Sequence, residues 1–397
     1  MLNQRLEQLK DYPFQRLREL VASLEAPKGL EPIVMSIGEP QHPYPDFVGE
    51  VLQANRHLYG KYPPVAGTDE LRQAIADWLT RRYRLPAGMV TAERHVLPMS
   101  GTREGLFMFA LVAVPERKNG QQPAVAMPNP FYQCYVGAAA SAGAESIFVP
   151  ALAKNRFLPD FAGLPKPLLS RLSLVYLCSP ANPQGTVADI AYLHQLIGLA
   201  RAHDFVVVVD ECYTEIYDRN PPPGALEACA LLDGSLRNVV VFHSLSKRSS
   251  VPGLRSGFCA GDPELIGAFS KLRGYGAAGM PLPLQAASAA LWRDEAHVEA
   301  NRALYREKFD IAESIIGNRF GFYRPPGGFF LWLDVGDGEA AARKLYKEAA
   351  VTTLPGGYLT RDGEHGAEAG RPYLRVAMVN DAASTRTAME RIRDTLG

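Results

Sequence analysis

Between residues 95 and 261 seven short apolar runs recur: HVLPM at 95–99, AVAM at 124–127, SIFV at 146–149, SLVYLC at 173–178, FVVVVD at 205–210, NVVVFH at 238–243 and SGFCA at 256–260. Most are separated by a stretch long enough for a helix, such as 101–114 and 190–203. That alternation predicts an α/β fold built on a mostly parallel seven-stranded sheet with right-handed crossovers. Continuous Val and Leu runs suit strands covered on both faces. In such a sheet ligands bind outside the carboxyl ends of the strands. The polar residues expected there are Ser100, Gly101, Thr102, Asn182, Asp210, Tyr213, Ser244, Ser246 and Lys247.

Composition narrows the class further. The 397 residues are 47% hydrophobic and 21% charged, which describes a globular chain with room for a large core and a smaller lobe. Lys+Arg and Asp+Glu both number 42, so no net field recruits nucleic acid or an anionic membrane. No apolar run approaches the ~20 residues of a membrane helix, and the charged opening MLNQRLEQLKDYPFQRLREL lacks a secretory core. Five cysteines without a CxxC pair argue against a disulfide framework or structural zinc. A reducing cytoplasm is the expected setting.

Along the chain, residues 1–24 alternate Leu with charges around Tyr12-Pro13-Phe14, an amphipathic arm suited to a partner subunit. A strand is expected at 33–37, closed by Gly38-Glu39-Pro40, and helices at 47–57 and 69–83. After Leu284 a long helical stretch, 285–316, leads to a C-terminal lobe of helices on a small sheet. The expected organisation is therefore an arm with part of a small domain at 1–44, a large domain at 45–284 and a small domain at 285–397.

The chemistry-bearing residues admit two readings each when taken singly. Lys247 follows a buried strand and Ser-x-Ser, and Arg255 follows eight residues later after Val-Pro-Gly. This delivers an amine beside anion-binding donors, as a Schiff-base lysine near a phosphate requires; the alternative is a solvated Lys and Arg beyond an ordinary strand. Ser100-Gly101-Thr102 at a helix start is a phosphate cradle or a simple N-cap. Asp210 at a strand end is partnered by a cation, such as a protonated pyridine nitrogen, or is held in a salt bridge or a helix cap. Asn182-Pro183 is a turn that also places an amide for a ligand, and Tyr132 is a ring to stack or a core aromatic. Arg375 in YLRVAM is a snorkelling cation or a bidentate carboxylate clamp. The GYGAAG run at 274–279 lacks the preceding strand and following βαβ unit of a dinucleotide fingerprint, so it reads as a flexible loop. His243 and Ser244 are adjacent on a strand, face opposite ways and form no triad.

Their order along the chain is more informative than any one of them. Gly38, Tyr62, Ser-Gly-Thr at 100–102, Tyr132, Asn182-Pro-x-Gly, Asp210-x-x-Tyr213, Ser-x-Ser-Lys247, Gly-Leu-Arg255 and Arg375 together resemble the class I/II aminotransferases, pyridoxal-phosphate enzymes of fold type I. SIGEPQHP, SGTREGLF, MPNPFYQCY, DECYTEIY and FHSLSKRSSVPGLRSGF are most similar to the succinyldiaminopimelate aminotransferases of bacterial lysine biosynthesis. The resemblance implies that Lys247 binds pyridoxal 5'-phosphate covalently and then moves the substrate proton. It implies that Asp210 keeps the ring nitrogen protonated, Asn182 and Tyr213 bond the ring O3′, and Tyr132 stacks on the ring. Ser100, Gly101, Thr102, Ser244, Ser246 and Arg255 are implied to hold the phosphate, with Tyr62 reaching in from the other subunit of a homodimer. Arg375, Asn182 and the Gly38 backbone are implied to bind the substrate α-carboxylate. One departure stands out: where aspartate aminotransferases carry a partner-donated arginine, this chain has Gly-Ala-Ala-Gly at 276–279. That favours a roomier pocket for a long acylated side chain, transferring amino groups between glutamate/2-oxoglutarate and N-succinyl-2-amino-6-ketopimelate. The alternatives are another acyl-amino acid, aspartate or alanine aminotransferase, a C–S lyase using the same residues, or a regulatory protein that has kept the fold.

Overall fold

A computed structural model describes residues 3–361 and 366–397. All seven apolar runs are strands of one sheet: β2 (Val96–Met99), β3 (Ala124–Asn129), β4 (Glu145–Pro150), β5 (Leu172–Cys178), β6 (Val206–Asp210), β7 (Val239–Ser244) and β8 (Gly257–Gly261). Their order is β2-β8-β7-β6-β5-β3-β4. Only β8 runs against its neighbours, antiparallel to both β7 and β2. The carboxyl ends of the other six therefore lie along one edge, where Ser244, Asp210, Cys178 and Asn129 emerge side by side.

The period-2 geometry of the strands sorts their side chains into two cores. Val207, Val209, Val239 and Val241 face one side, with Trp78, Leu196, Leu291 and Trp292. Val206, Val208, Val240 and Phe242 face the other, with Phe109, Tyr135 and Tyr176. Both faces are thus dry, which is why these strands carry no polar alternation.

A third core belongs to the smaller unit. There β9 (Phe330–Asp334), β11 (Leu354–Pro355) and β12 (Tyr373–Ala377) form an antiparallel sheet in the order β11-β12-β9. A short parallel pair joins β1 (Ile33–Val34) to β10 (Val351–Thr352). The expected strand at 33–37 is thus only two residues long. Met35, buried, still donates its N–H to the Thr352 carbonyl at 2.8 Å and accepts the Ala377 N–H at 2.7 Å. Leu17 and Leu20 of the arm helix Pro13–Val21 join this core with Tyr305, Leu331, Leu345 and Val376.

The helical stretch expected at 285–316 is two helices, Leu282–Arg293 and Ala296–Ile316. Asp294 turns extended between them, and its carboxylate accepts the His297 N–H at 3.0 Å. A carboxylate that caps a helix start offers the backbone an exit that apolar periodicity does not reveal. The first helix belongs to the large-sheet core, with Trp292 and Trp78 ring centroids 4.7 Å apart. The GYGAAG run divides likewise: Gly274–Gly276 end the helix Pro263–Gly276, and the loop starts at Ala277.

Trp292 also meets Phe258 edge-on at 5.0 Å, with the Arg248 guanidinium 5.0 Å over its ring. Emptying this site removes a large buried ring that neighbours cannot replace. Trp292→Ala is expected to destabilise the fold by about 3–5 kcal/mol. Thermal unfolding followed by circular dichroism should show a clearly lower midpoint, with Trp292→Phe in between. An unchanged midpoint in Trp292→Ala would contradict this account of the core.

Candidate active site

The end of β7 sets the position of the amine. Ser244 caps the helical turn Leu245–Arg248, its Oγ accepting the Ser246 N–H at 3.1 Å. This turn carries Lys247 off the sheet edge, where its Nζ donates to the Gly38 carbonyl at 2.7 Å. The Phe329 ring lies beside it, centroid 5.3 Å away. Burial lowers the Lys247 pKa to about 8, opposed by Cys212 and assisted by the Arg375 and Arg255 charges. An amine in that range is part free base near neutrality and so a usable nucleophile or base.

Beside it, Asp210 ends β6 and is buried. Its Oδ2 accepts the Tyr135 hydroxyl at 2.8 Å and its Oδ1 the Cys212 N–H at 3.3 Å. Burial pushes its pKa up, while the bonds from Cys212 and Tyr135 hold it down. No lysine or arginine forms a salt bridge with it among the described residues. A carboxylate in such a position suits a ligand that brings its own cation. Next to it Glu211 is already saturated, accepting from the Tyr83 hydroxyl at 2.8 Å and the Ala225 N–H at 2.7 Å. His243 lies on the Glu211 side, 2.9 Å from its carboxylate, with Ser244 on the opposite face of β7.

The helix Thr102–Ala113 begins after Gly101 without a side-chain cap, leaving backbone N–H groups for an anion. Gly101 has φ +89°, and a Cβ there would run into the Arg255 guanidinium. Only glycine fits both demands. Arg255, itself left-handed at φ 52°, thus brings its charge to the start of this helix, beside the hydroxyls of Thr102, Ser244 and Ser246. The Thr102 hydroxyl lies 3.3 Å from Cys212 Sγ.

Arg375 reaches the site from β12. It is 5% exposed, donating from Nη1 to Asn182 Oδ1 at 3.0 Å and from Nη2 to the Ser36 carbonyl at 2.8 Å. Its Nε makes no hydrogen bond, and the Phe330 ring lies 4.4 Å beneath. Burial lowers its pKa to about 10. A buried guanidinium held only by neutral oxygens is arranged for an anion from outside. Gly38 packs directly on Phe330, where a Cβ would approach Cζ to 2.6 Å.

These groups line one cavity of about 390 Å³. It brings together eleven of the fourteen residues expected from sequence: Gly38, Thr102, Tyr132, Asn182, Asp210, Tyr213, Ser244, Ser246, Lys247, Arg255 and Arg375. Tyr132 packs edge-on against Tyr135 at 5.6 Å, and Tyr213 edge-on against Phe329 at 5.4 Å. Three residues lie outside it. Ser100 lines an adjoining cavity, Gly101 presses on Arg255 from behind, and Tyr62 is wholly exposed to solvent. Sequence reasoning missed Tyr135, Cys212, Arg103 and Phe330. Tyr12 and Phe14 of the arm also line the cavity, and the break they make in the arm's periodicity was their signal.

The chain is similar to known proteins over its whole length. The chain is 43% identical to an aminotransferase from Neisseria meningitidis Z2491 of known crystal structure, over the full length of both, with a TM-score of 0.95. It is 30% identical over 403 residues to the LL-diaminopimelate aminotransferase of Desulforudis audaxviator, covering 99% of this chain and 97% of that one. It is 32% identical over 377 residues to the 4-dedimethylamino-4-oxo-anhydrotetracycline transaminase OxyQ of Streptomyces rimosus, covering 94% and 96%. The sequence pattern of the family described as aminotransferase class I and II matches residues 31–392, and the chain belongs to that family.

Proposed function

We propose that the chain transfers an amino group between glutamate/2-oxoglutarate and N-succinyl-2-amino-6-ketopimelate/N-succinyl-LL-2,6-diaminopimelate. The observation that carries the reaction class is the meeting of a low-pKa Lys247, an unpaired buried Asp210 and an Arg375 without a carboxylate partner in one cavity. The acyl-diaminopimelate substrate is supported by the motif resemblance around Lys247 and by relatives that include an LL-diaminopimelate aminotransferase. It is supported too by the Ala277-Ala278-Gly279 loop, which offers no arginine for a short side-chain carboxylate. The unacylated LL-diaminopimelate is the second reading, favoured by that relative's name.

Class I and II aminotransferases use pyridoxal phosphate, and the residues present fit it. A helix start without a side-chain cap, with the Arg255 guanidinium packed against Gly101, suits a phosphate, and Asp210 has no cationic partner among the described residues. When bound, the cofactor supplies an electron-poor ring that makes the substrate Cα–H acidic. In this reading Thr102, Ser244, Ser246 and Arg255 hold the phosphate, with Ser100 and Gly101 shaping the turn. Asp210 holds the proton on the ring nitrogen, and Tyr135 and Cys212 keep its carboxylate oriented. Tyr132 covers one ring face, while Asn182 and Tyr213 orient the ring oxygen. Arg375 anchors the α-carboxylate together with Asn182, and Gly38, packed on Phe330, adds its backbone to that site. Lys247, released from the Gly38 carbonyl, moves the proton at Cα.

We further propose a homodimer in which Tyr62 completes the partner's phosphate site. Tyr62 is fully exposed, and Tyr59, Phe107, Leu111 and Tyr275 are further exposed apolar side chains, an apolar supply fitting an interface.

Four measurements test these readings. Lys247→Ala is expected to abolish amino transfer and borohydride-fixed cofactor with the fold retained; a variant that still fixes the cofactor at full yield would refute the role. Arg375→Lys should reduce both half-reactions comparably, by about a hundredfold, because lysine lacks the bidentate fork; a loss confined to one half-reaction argues against a shared clamp. Mixing Lys247→Ala with Tyr62→Ala subunits should restore activity through one intact site per heterodimer, and heterodimers that stay inactive would place Tyr62 within its own subunit. For the substrate, half-reaction rates with glutamate, aspartate, and free and succinylated LL-diaminopimelate decide. A clear preference for aspartate removes the diaminopimelate reading and leaves the aminotransferase.

A further inference from the structure

Four cationic side chains line the cavity: Lys247, Arg255, Arg375 and Arg103. The first three have chemical tasks in the reading above, on which this inference rests. Arg103 has none. It follows Thr102 on the same helix, and successive helical residues are turned by about 100°. Thr102 accordingly meets Cys212 beside Asp210, whereas Arg103 meets Tyr132, donating from Nε to the Tyr132 hydroxyl. Arg103 is exposed, so its two terminal nitrogens are open to solvent; they make no hydrogen bond among the described residues, and no carboxylate there pairs with it.

A second cavity of about 570 Å³ adjoins the first, and Tyr12, Arg103, Tyr132, Gln133 and Arg255 line both. Arg103 therefore stands at the junction of the two, on the side closed by the N-terminal arm. Gln133 stands there with it, and its amide Nε2 is buried without a hydrogen-bond partner. A solvent-open guanidinium with two available nitrogens, lining the same two cavities as an unsatisfied buried amide N–H, offers a donor set for one carboxylate, whose two oxygens take the fork while the amide takes a remaining lone pair. Leaving the Gln133 amide dry and unpaired is unfavourable until such an acceptor arrives.

We propose that Arg103, assisted by Gln133, binds the carboxylate at the far end of the substrate side chain. Arg375 reads the carboxylate common to every amino acid; Arg103 selects those ending in a second one. The substrate class is an α-amino acid with a terminal side-chain carboxylate, either short as in glutamate or carried on a dicarboxylic acyl group. The second cavity gives the longer chain its room. An acetylated side chain, lacking the terminal carboxylate, leaves both donors unpaired and is disfavoured.

The test uses the holoenzyme and two non-reacting probes of equal length, glutarate with two carboxylates and valerate with one. Dissociation constants come from titration calorimetry. The wild type should bind glutarate at least about tenfold more tightly than valerate, as expected for a charge-assisted pair. Arg103→Gln should remove that advantage and leave valerate within about twofold, while Arg375→Lys should weaken both. A cofactor absorbance spectrum unchanged in Arg103→Gln shows that Tyr132 has kept its place. If Arg103→Gln weakens both probes equally, or neither, the selector role is overturned. Amino transfer from glutamate by the wild type is scored separately: its presence with unaltered discrimination defeats only this inference, and its absence with every donor defeats the reading beneath it.

Discussion

Two hydrogen bonds between distant parts of the chain hold the site together. Lys247 Nζ reaches the Gly38 carbonyl, and Arg375 reaches Asn182. Each joins the carboxyl edge of the large sheet to the smaller unit, and each is made by a cation whose pKa burial has lowered. Such cations are tolerable in the interior only if oxygens replace the lost water. Neutral carbonyl and amide oxygens do this here.

The anion in the cavity obeys the complementary rule. Asp210 is held by a tyrosine hydroxyl and a backbone N–H, neutral donors that orient it without neutralising it. Its neighbour Glu211, one residue past the end of the strand, turns to the other side and is satisfied by Tyr83 and Ala225. Two adjacent carboxylates therefore serve different ends, one structural and one left open. The Tyr135 ring that supports Asp210 is itself fixed by stacking on Tyr176, centroids 4.5 Å apart and nearly parallel. The carboxylate is positioned by the core of the sheet rather than by a loop.

Much of this was legible in the sequence because parallel sheets write their strands as unbroken apolar runs and finish them with the residues that matter. Ser244, Asp210 and Cys178 emerge at one edge because β7, β6 and β5 are parallel, and that follows from spacing. Arg375 was readable as unusual, an arginine between apolar residues, but its partners lie 193 and 339 positions away and no local pattern points to Asn182 or Ser36. Tyr135 gave no signal, since a tyrosine on a helix beside small residues reads as packing and its bond to Asp210 is a tertiary event. Arg103, one residue past the Ser-Gly-Thr run, gave no signal of its own, since its bond to Tyr132 is a tertiary event. The division of 285–316 into two helices escaped because apolar periodicity continues across Asp294, and only the cap at His297 marks the turn.

Glycine at two points shows why the cavity has its shape. At position 101 the left-handed backbone allows the helix start and Arg255 to share one spot, so donors from two chain segments converge without a side chain between them. At position 38 the backbone lies against Phe330, and the ring in turn lies under the Arg375 guanidinium. The aromatic floor, the backbone carbonyl that holds Lys247 and the clamp on β12 are therefore one packed unit. A side chain at either glycine would push apart groups that must meet within hydrogen-bonding distance of a single small molecule. An aminotransferase has to accept two different amino acids in turn at the same amine. In the reading proposed above, the buried Arg375 at one end of the cavity meets what the two share, and the wall formed by Tyr12 and Phe14 of the arm borders the part where they differ.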